Sequence, residues 1–184
     1  NAAEVTFLRA EYELRWGSAE NARTLYEDAI RLSFEERGAS GADAYIADAT
    51  HTPAAYVDPI GRYSVSTPPS SVTIAWDDKA TDIETNLEKI ITQKWIAMFP
   101  NGQEAWSEFR RTGYPLMMPA TAEGNKSNGK VDSRMGARRM PYPQVEYTTN
   151  GENVRQAVAS WLNGGDDMAT RLWWDCKEDL PQLR

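Results

Sequence analysis

Apolar residues recur at helical spacing in five stretches of this sequence, and two long segments between them lose that period. Val5, Leu8 and Tyr12, with Ala10 and Leu14 alongside, predict a helix over about Ala3–Trp16, stopped by Gly17. Ser18 is a suitable N-cap for a second helix over about Ala19–Glu36. Ala22, Leu25, Tyr26, Ala29, Leu32 and Ser33 share one face of it, and Gly38 ends it. Two helices joined by so short a turn form an antiparallel hairpin.

A second hairpin follows at about 81–112. Thr81 and Glu84 have capping-box spacing, and Ile83, Leu87, Ile90, Ile91, Trp95 and Met98 keep helical period to Phe99. Pro100 stops that helix, Asn101 caps the next with Glu104 at N3, and Gly113 and Pro115 close it. Ala105, Trp106 and Phe109 form its apolar stripe. A last helix carries Val154, Ala157, Val158, Trp161 and Leu162, with Gly164 beyond its end. The class is mainly α: tetratricopeptide-like helical hairpins with long irregular loop segments. Ala22-x3-Tyr26-x2-Ala29 supports the repeat comparison, since small residues let helices approach while an aromatic fills the groove. Arg9 stands beside Leu8 where that repeat prefers glycine, and its closing proline is missing.

The irregular lobe covers about 39–80. Gly41, Pro53, Pro59, Gly61, Pro68 and Pro69 punctuate it, Ala42–Thr50 leaves room for a short helix, and Val72–Trp76 reads as an extended run. Such a long loop region is functional or packed over something large. The remainder, 113–184, is loop, final helix and tail, with Pro141-Tyr142-Pro143 stiff and extended.

Composition narrows the chemistry. With 20 basic against 27 acidic residues the chain is acidic, which argues against nucleic acid as a partner. One cysteine excludes an internal disulfide and any multi-cysteine metal site. The lone histidine, His51, sits in a loop without a Gly-x-Ser-x-Gly elbow and reads as a surface residue. Paired carboxylates can hydrolyse glycosides, but the separation required is spatial. Asp77-Asp78 and Asp166-Asp167 each lie just before a helix or turn and read as charges complementing helix N-termini, with calcium an alternative. Lys126, Lys130, Arg134, Arg138 and Arg139 read as a solvated loop against an acidic body, with an anionic ligand the alternative. Gly124, Gly129 and Gly136 make no phosphate loop, and Asn125-Lys-Ser127 is a formal glycosylation acceptor. No catalytic residue, metal ligand or cofactor motif is assigned.

The excess is in tryptophan, seven residues, beside eight tyrosines. Trp95, Trp106 and Trp161 lie on apolar helical stripes and are expected in the core; Trp173-Trp174 is expected to anchor the tail; Trp16 is open. Tyr45, Tyr56, Tyr63 and Trp76 fall in the irregular lobe and are the candidate ligand-binding residues, able to stack on sugar rings.

Several stretches together resemble one family. They are Ala3–Glu11, Leu25–Glu35, Leu87–Ala97, Asn101–Pro115, Arg139-Met-Pro-Tyr-Pro143 with Glu146 and Asn153, and Thr170–Asp175. Their order and residues are similar to the C-terminal part of SusD/RagB outer-membrane lipoproteins of Bacteroidetes, closest to the starch-utilisation-like branch. The resemblance covers nearly the whole chain, so residues 1–184 are expected to be the C-terminal part of a single SusD-like domain. It implies a surface-exposed outer-membrane lipoprotein, anchored by an N-terminal lipidated cysteine that lies outside this chain. It implies a non-catalytic protein that captures oligosaccharide or another nutrient over a TonB-dependent, SusC-like transporter. The chain starts inside a helical pattern, which agrees with a piece of something longer. Two other readings stay open: a helical-repeat interaction scaffold and a carboxylate-dependent glycoside hydrolase.

Overall fold

A computed structural model describes residues 1–183. Its elements are helices α1 (Ala2–Trp16), α2 (Ala19–Glu36), α3 (Ala42–Ile46), α4 (Glu84–Ala97), α5 (Gly102–Thr112), α6 (Gln144–Thr149) and α7 (Gly151–Trp161), then a 3-10 turn at Pro181–Leu183. Among the described residues there is no strand; the single β-bridge pairs Tyr56 with Val65. The mainly α class with helical hairpins and long irregular segments is what the structure contains.

Helix packing follows residue size. α1 lies against α2 and α4, and α4 touches α2 and α5. The buried face of α1 is Ala3, Phe7 and Ala10, with Glu11 beside them. It meets Tyr26, Ala29 and Ile30 of α2 and Leu87, Ile90 and Ile91 of α4. The alanines admit close approach, and Phe7 and Tyr26 fill the groove edge-on, centroids 6.3 Å apart. This corrects the expected stripe: Val5, Leu8 and Tyr12 are exposed, with Trp16 beyond them. α1 therefore carries two apolar faces, and the one with small residues takes the core.

The caps follow local chemistry. Asn1, Ser18 and Asn101 accept backbone N–H groups of Glu4, Asn21 and Glu104. For α4 the capping side chain is Asp82, not Thr81: its Oδ1 accepts from the N–H groups of Glu84 at 2.9 Å and Thr85 at 3.4 Å. α6 had no predicted counterpart, because Pro143 starts it but no apolar period runs through its six residues.

The expectation of three core tryptophans fails for two of them. Trp95 is 40% and Trp161 80% exposed. Trp106 is half-buried and donates Nε1–H to the Ala137 carbonyl at 2.9 Å. Trp173 projects into solvent at 89% exposure, so of the pair only Trp174 packs toward the body. The guanidinium of Arg110 lies 3.7 Å over Trp106 and 5.1 Å from Trp174. The solvated-loop reading of the basic stretch fails at its end. Arg138 donates Nε and Nη2 to Asp175 at 2.7 and 2.6 Å, both side chains about 1% exposed. Arg139 is buried against Asp166.

The irregular lobe is tied to α2 by a side chain reaching its backbone, and to itself by a backbone bond. Tyr26 donates its hydroxyl to the Ile74 carbonyl at 2.7 Å, and Ala75 N–H donates to Asp48 O. Burial pushes the Tyr26 phenol above its ordinary pKa, consistent with a hydroxyl held as a donor. Replacing Tyr26 with phenylalanine deletes that bond and leaves the carbonyl without this partner. The expected loss is about 1–2 kcal/mol, read from the urea midpoint at unchanged slope.

Candidate functional site

The expected extended run Val72–Trp76 forms no strand. Residues 72–77 run along α4, held by Asn86 and Lys89, while Gln93, next on the same buried polar stripe at i, i+3 and i+7, pairs with Tyr45. Asn86 Nδ2 donates to Asp77 O at 2.9 Å and its Oδ1 accepts from Asp77 N–H at 3.1 Å. Lys89 Nζ donates to Thr73 O at 2.8 Å and Thr73 Oγ1 at 2.9 Å. Tyr45 Oη lies 2.9 Å from Gln93 Nε2 and 3.1 Å from Gln93 Oε1. A concavity borders each end of this seam, one at residues 72–74 and one at 76–77.

The first is a hollow of about 430 Å³ walled by Leu14, Trp76, Asp77, Asp78, Asp82 and Asn86, with Arg23 and Glu20 at its edge. Trp76 is half-buried. One side of its ring leans on Tyr26, centroids 5.5 Å apart, while the residue borders the hollow. Arg23 is ion-paired to Glu27 and Asp78 at 2.9 Å each. The carboxylates already serve turns: Asp77 Oδ1 accepts from Lys79 N–H, and Asp82 Oδ1 caps α4. Each aspartate pair lies at a turn, as one form of the expectation had it, and neither lies at a helix N-terminus. Asp166 instead binds Arg139, Tyr142 N–H and the Tyr147 hydroxyl. Although burial favours its neutral form, those bonds hold its carboxyl below the ordinary value. An aromatic wall among carboxylate, amide and guanidinium groups suits a ligand with apolar faces and equatorial hydroxyls.

The second is a cleft of about 370 Å³ with Tyr45, Lys89, Gln93 and Trp95 among its lining residues. The rest of its wall is mostly apolar: Pro53, Val72, Ile74, Ile96, Leu116 and Met117. Burial lowers the Lys89 ammonium's pKa, opposed by the charges of Asp77 and Glu88. His51 stands at the rim, its Nδ1 2.6 Å from Asp48 Oδ2.

The four predicted aromatics thus separate. Trp76 borders the hollow and Tyr45 the cleft, both also packed against the core. Tyr56 and Tyr63 are exposed on a loop knotted by Asp58, whose carboxylate accepts from Ile60, Arg62 and Tyr63 N–H groups. Neither borders the two concavities. The residues missed are Asn86, Lys89 and Gln93. Their signal was in the sequence, as polar residues at i, i+3 and i+7, sharing one face of the helix. Among the described residues no three His, Cys, Asp or Glu side chains gather as metal ligands.

A family model described as "SusD-like: Susd and RagB outer membrane lipoprotein" matches residues 1–175. A crystal structure of a SusD homolog from Bacteroides uniformis matches with TM-score 0.89 at 53% identity, over 96% of this chain and 36% of that chain. A chitin-binding SusD homolog from Flavobacterium johnsoniae matches with TM-score 0.86 at 50% identity, over 95% and 36%. A SusD-like protein from Bacteroides thetaiotaomicron matches with TM-score 0.86 at 44% identity, over 98% and 37%. The chain therefore spans little more than a third of these solved relatives. No curated protein sequence matches it.

Proposed function

This chain belongs to the SusD-like family of outer-membrane lipoproteins, and from that premise we propose that it is part of a non-catalytic, cell-surface protein that binds oligosaccharide. The observation that carries the reading is the Trp76 hollow, an aromatic wall set among Asp77, Asp78, Asp82, Asn86 and Arg23. Sugars present C–H faces to such a ring and hydroxyls to such planar polar groups. The chitin-binding relative at 50% identity supports a glycan as ligand. Captured oligosaccharide passes to a partner TonB-dependent, SusC-like transporter in the outer membrane. No described helix is long and apolar enough to cross a membrane; attachment in this reading is through an N-terminal lipid, as the family description implies.

Calorimetric titration of the intact protein against neutral and acidic oligosaccharides tests the reading. Saturable binding without turnover is expected; product release from any of them points to the hydrolase instead.

One observation favours a second reading. Val5, Leu8, Tyr12 and Trp16 lie exposed along α1, the kind of face a helical-repeat scaffold presents to another protein. A glycan-silent protein that retains one tight protein partner would support the scaffold.

A further inference from the structure

We propose that the cleft at Tyr45, Lys89 and Trp95 reads an acyl substituent on the sugar, so that the preferred ligands are N- or O-acylated oligosaccharides. This rests on the glycan-binding reading above and names the ligand class of a second subsite, separated from the Trp76 hollow by the 72–77 seam.

Lys89 is the starting point. Its side chain is 3% exposed and borders the cleft. An ammonium has three N–H donors. Thr73 accepts two of them, through O and Oγ1. Among the described residues no carboxylate lies within ion-pairing distance of Nζ, whereas Lys94 on the same helix has Glu108 at 3.0 Å. One charged donor is thus left in a cleft whose other walls are mostly apolar.

That arrangement selects among sugar substituents. His51, Thr52, Thr73 and Thr92 also line the cleft, but along Val72, Ile74, Leu116 and Met117 a hydroxyl finds no side-chain partner. A carboxylate needs donors at both oxygens, whereas Lys89 keeps one N–H beyond those Thr73 accepts and the adjoining Val72, Ile74, Leu116 and Met117 side chains supply none. An acyl group asks for one donor at its carbonyl and apolar contact for its alkyl part, and the cleft supplies both. Trp95, 40% exposed at the wall, offers a face for the ring that carries the substituent. The Tyr45–Gln93 pair offers a hydroxyl and an amide for that ring's other oxygens.

The test compares tetramers of β-1,4-linked N-acetylglucosamine, β-1,4-linked glucose and α-1,4-linked galacturonate by calorimetry on the intact protein. The acetylated tetramer should bind about tenfold or more tightly than the glucose tetramer, the scale of one bond to a charged donor. Lys89→Met should bring that ratio close to one. Met117→Trp, at an exposed position of the same wall, should do so by filling the acyl space without altering a buried side chain. Equal binding of the acetylated and glucose tetramers, survival of the preference in both variants, or tighter binding of galacturonate overturns the inference while leaving glycan binding intact. No binding of any tetramer, or of any glycan in the wider panel, overturns both.

Discussion

Replacing Asp175 with alanine is expected to destabilise the chain by about 3–5 kcal/mol, the range for removing one partner of a buried ion pair. Arg138 presents two donors to this carboxylate, and both side chains are closed to water. Without it Arg138 keeps its charge in the interior, still donating to Arg110 O at 2.7 Å. Two more cations face the same place: Arg171, its Nε 3.8 Å from Asp175, and Arg110, whose pKa burial and Arg138 already lower. One carboxylate therefore balances a cluster of guanidinium groups. Pairing Asp175→Leu with Arg138→Met removes both charges and should recover most of the loss, since apolar replacements of a buried pair are often neutral. Urea unfolding of Asp175→Leu, Arg138→Met and the double variant measures the coupling. Equal losses in the single and double variants would show that the pair is not the origin of the effect.

Arg111→Met is expected to cost about 2 kcal/mol at neutral pH, less than a fully buried pair because Arg111 is 42% exposed. Arg111 joins the first and second hairpins across 100 residues of sequence. Its Nη1 and Nη2 meet Glu11 at 2.7 and 2.6 Å, and Nη2 also meets Glu108 at 2.6 Å. Both glutamates are buried. Burial alone would raise the Glu11 pKa; the bonds from Arg111 and then Arg15 outweigh it, and the net shift is downward. A carboxylate with a lowered folded pKa contributes stability above its unfolded value, here about 4.5, and loses it as pH falls through the folded value. The gap between wild type and Arg111→Met should be full at pH 7 and close progressively below about pH 4.5. A gap independent of pH would mean that lost packing, not the ion pair, sets the cost.

The hairpins were legible in the sequence because helix signals are local. Ser18, Asn101 and Gly113 punctuate them, and apolar period runs between. What escaped depends on which of two apolar faces finds a partner. On α1 the stripe of large residues was chosen as core, yet Ala3 and Ala10 set the closer approach and Phe7 fills it. Trp95 and Trp161 share the core period of their helices, but among the described residues each is left exposed. Arg138 looked solvated because its partner Asp175 is 37 residues away, a distance no local pattern spans. The site was half legible. Residue type and loop placement singled out Tyr45 and Trp76, both of which border a concavity. Tyr56 and Tyr63 met the same criteria but sit on a turn that Asp58 holds away from both. The polar stripe Asn86-Lys89-Gln93 had helical spacing, and only the contacts of Asn86 and Lys89 with the 72–77 run and of Gln93 with Tyr45 explain why it is buried.

The central claim is that an aromatic hollow in this chain binds oligosaccharide, and calorimetry on intact protein carrying Trp76→Ala tests it most directly. The titrant is the tightest-binding oligosaccharide of the wild-type panel, and thermal unfolding checks that the variant remains folded. The account predicts a loss of affinity of about tenfold or more, about 1.4 kcal/mol, as expected for truncating a central aromatic contact. Unchanged affinity in the folded variant would contradict it.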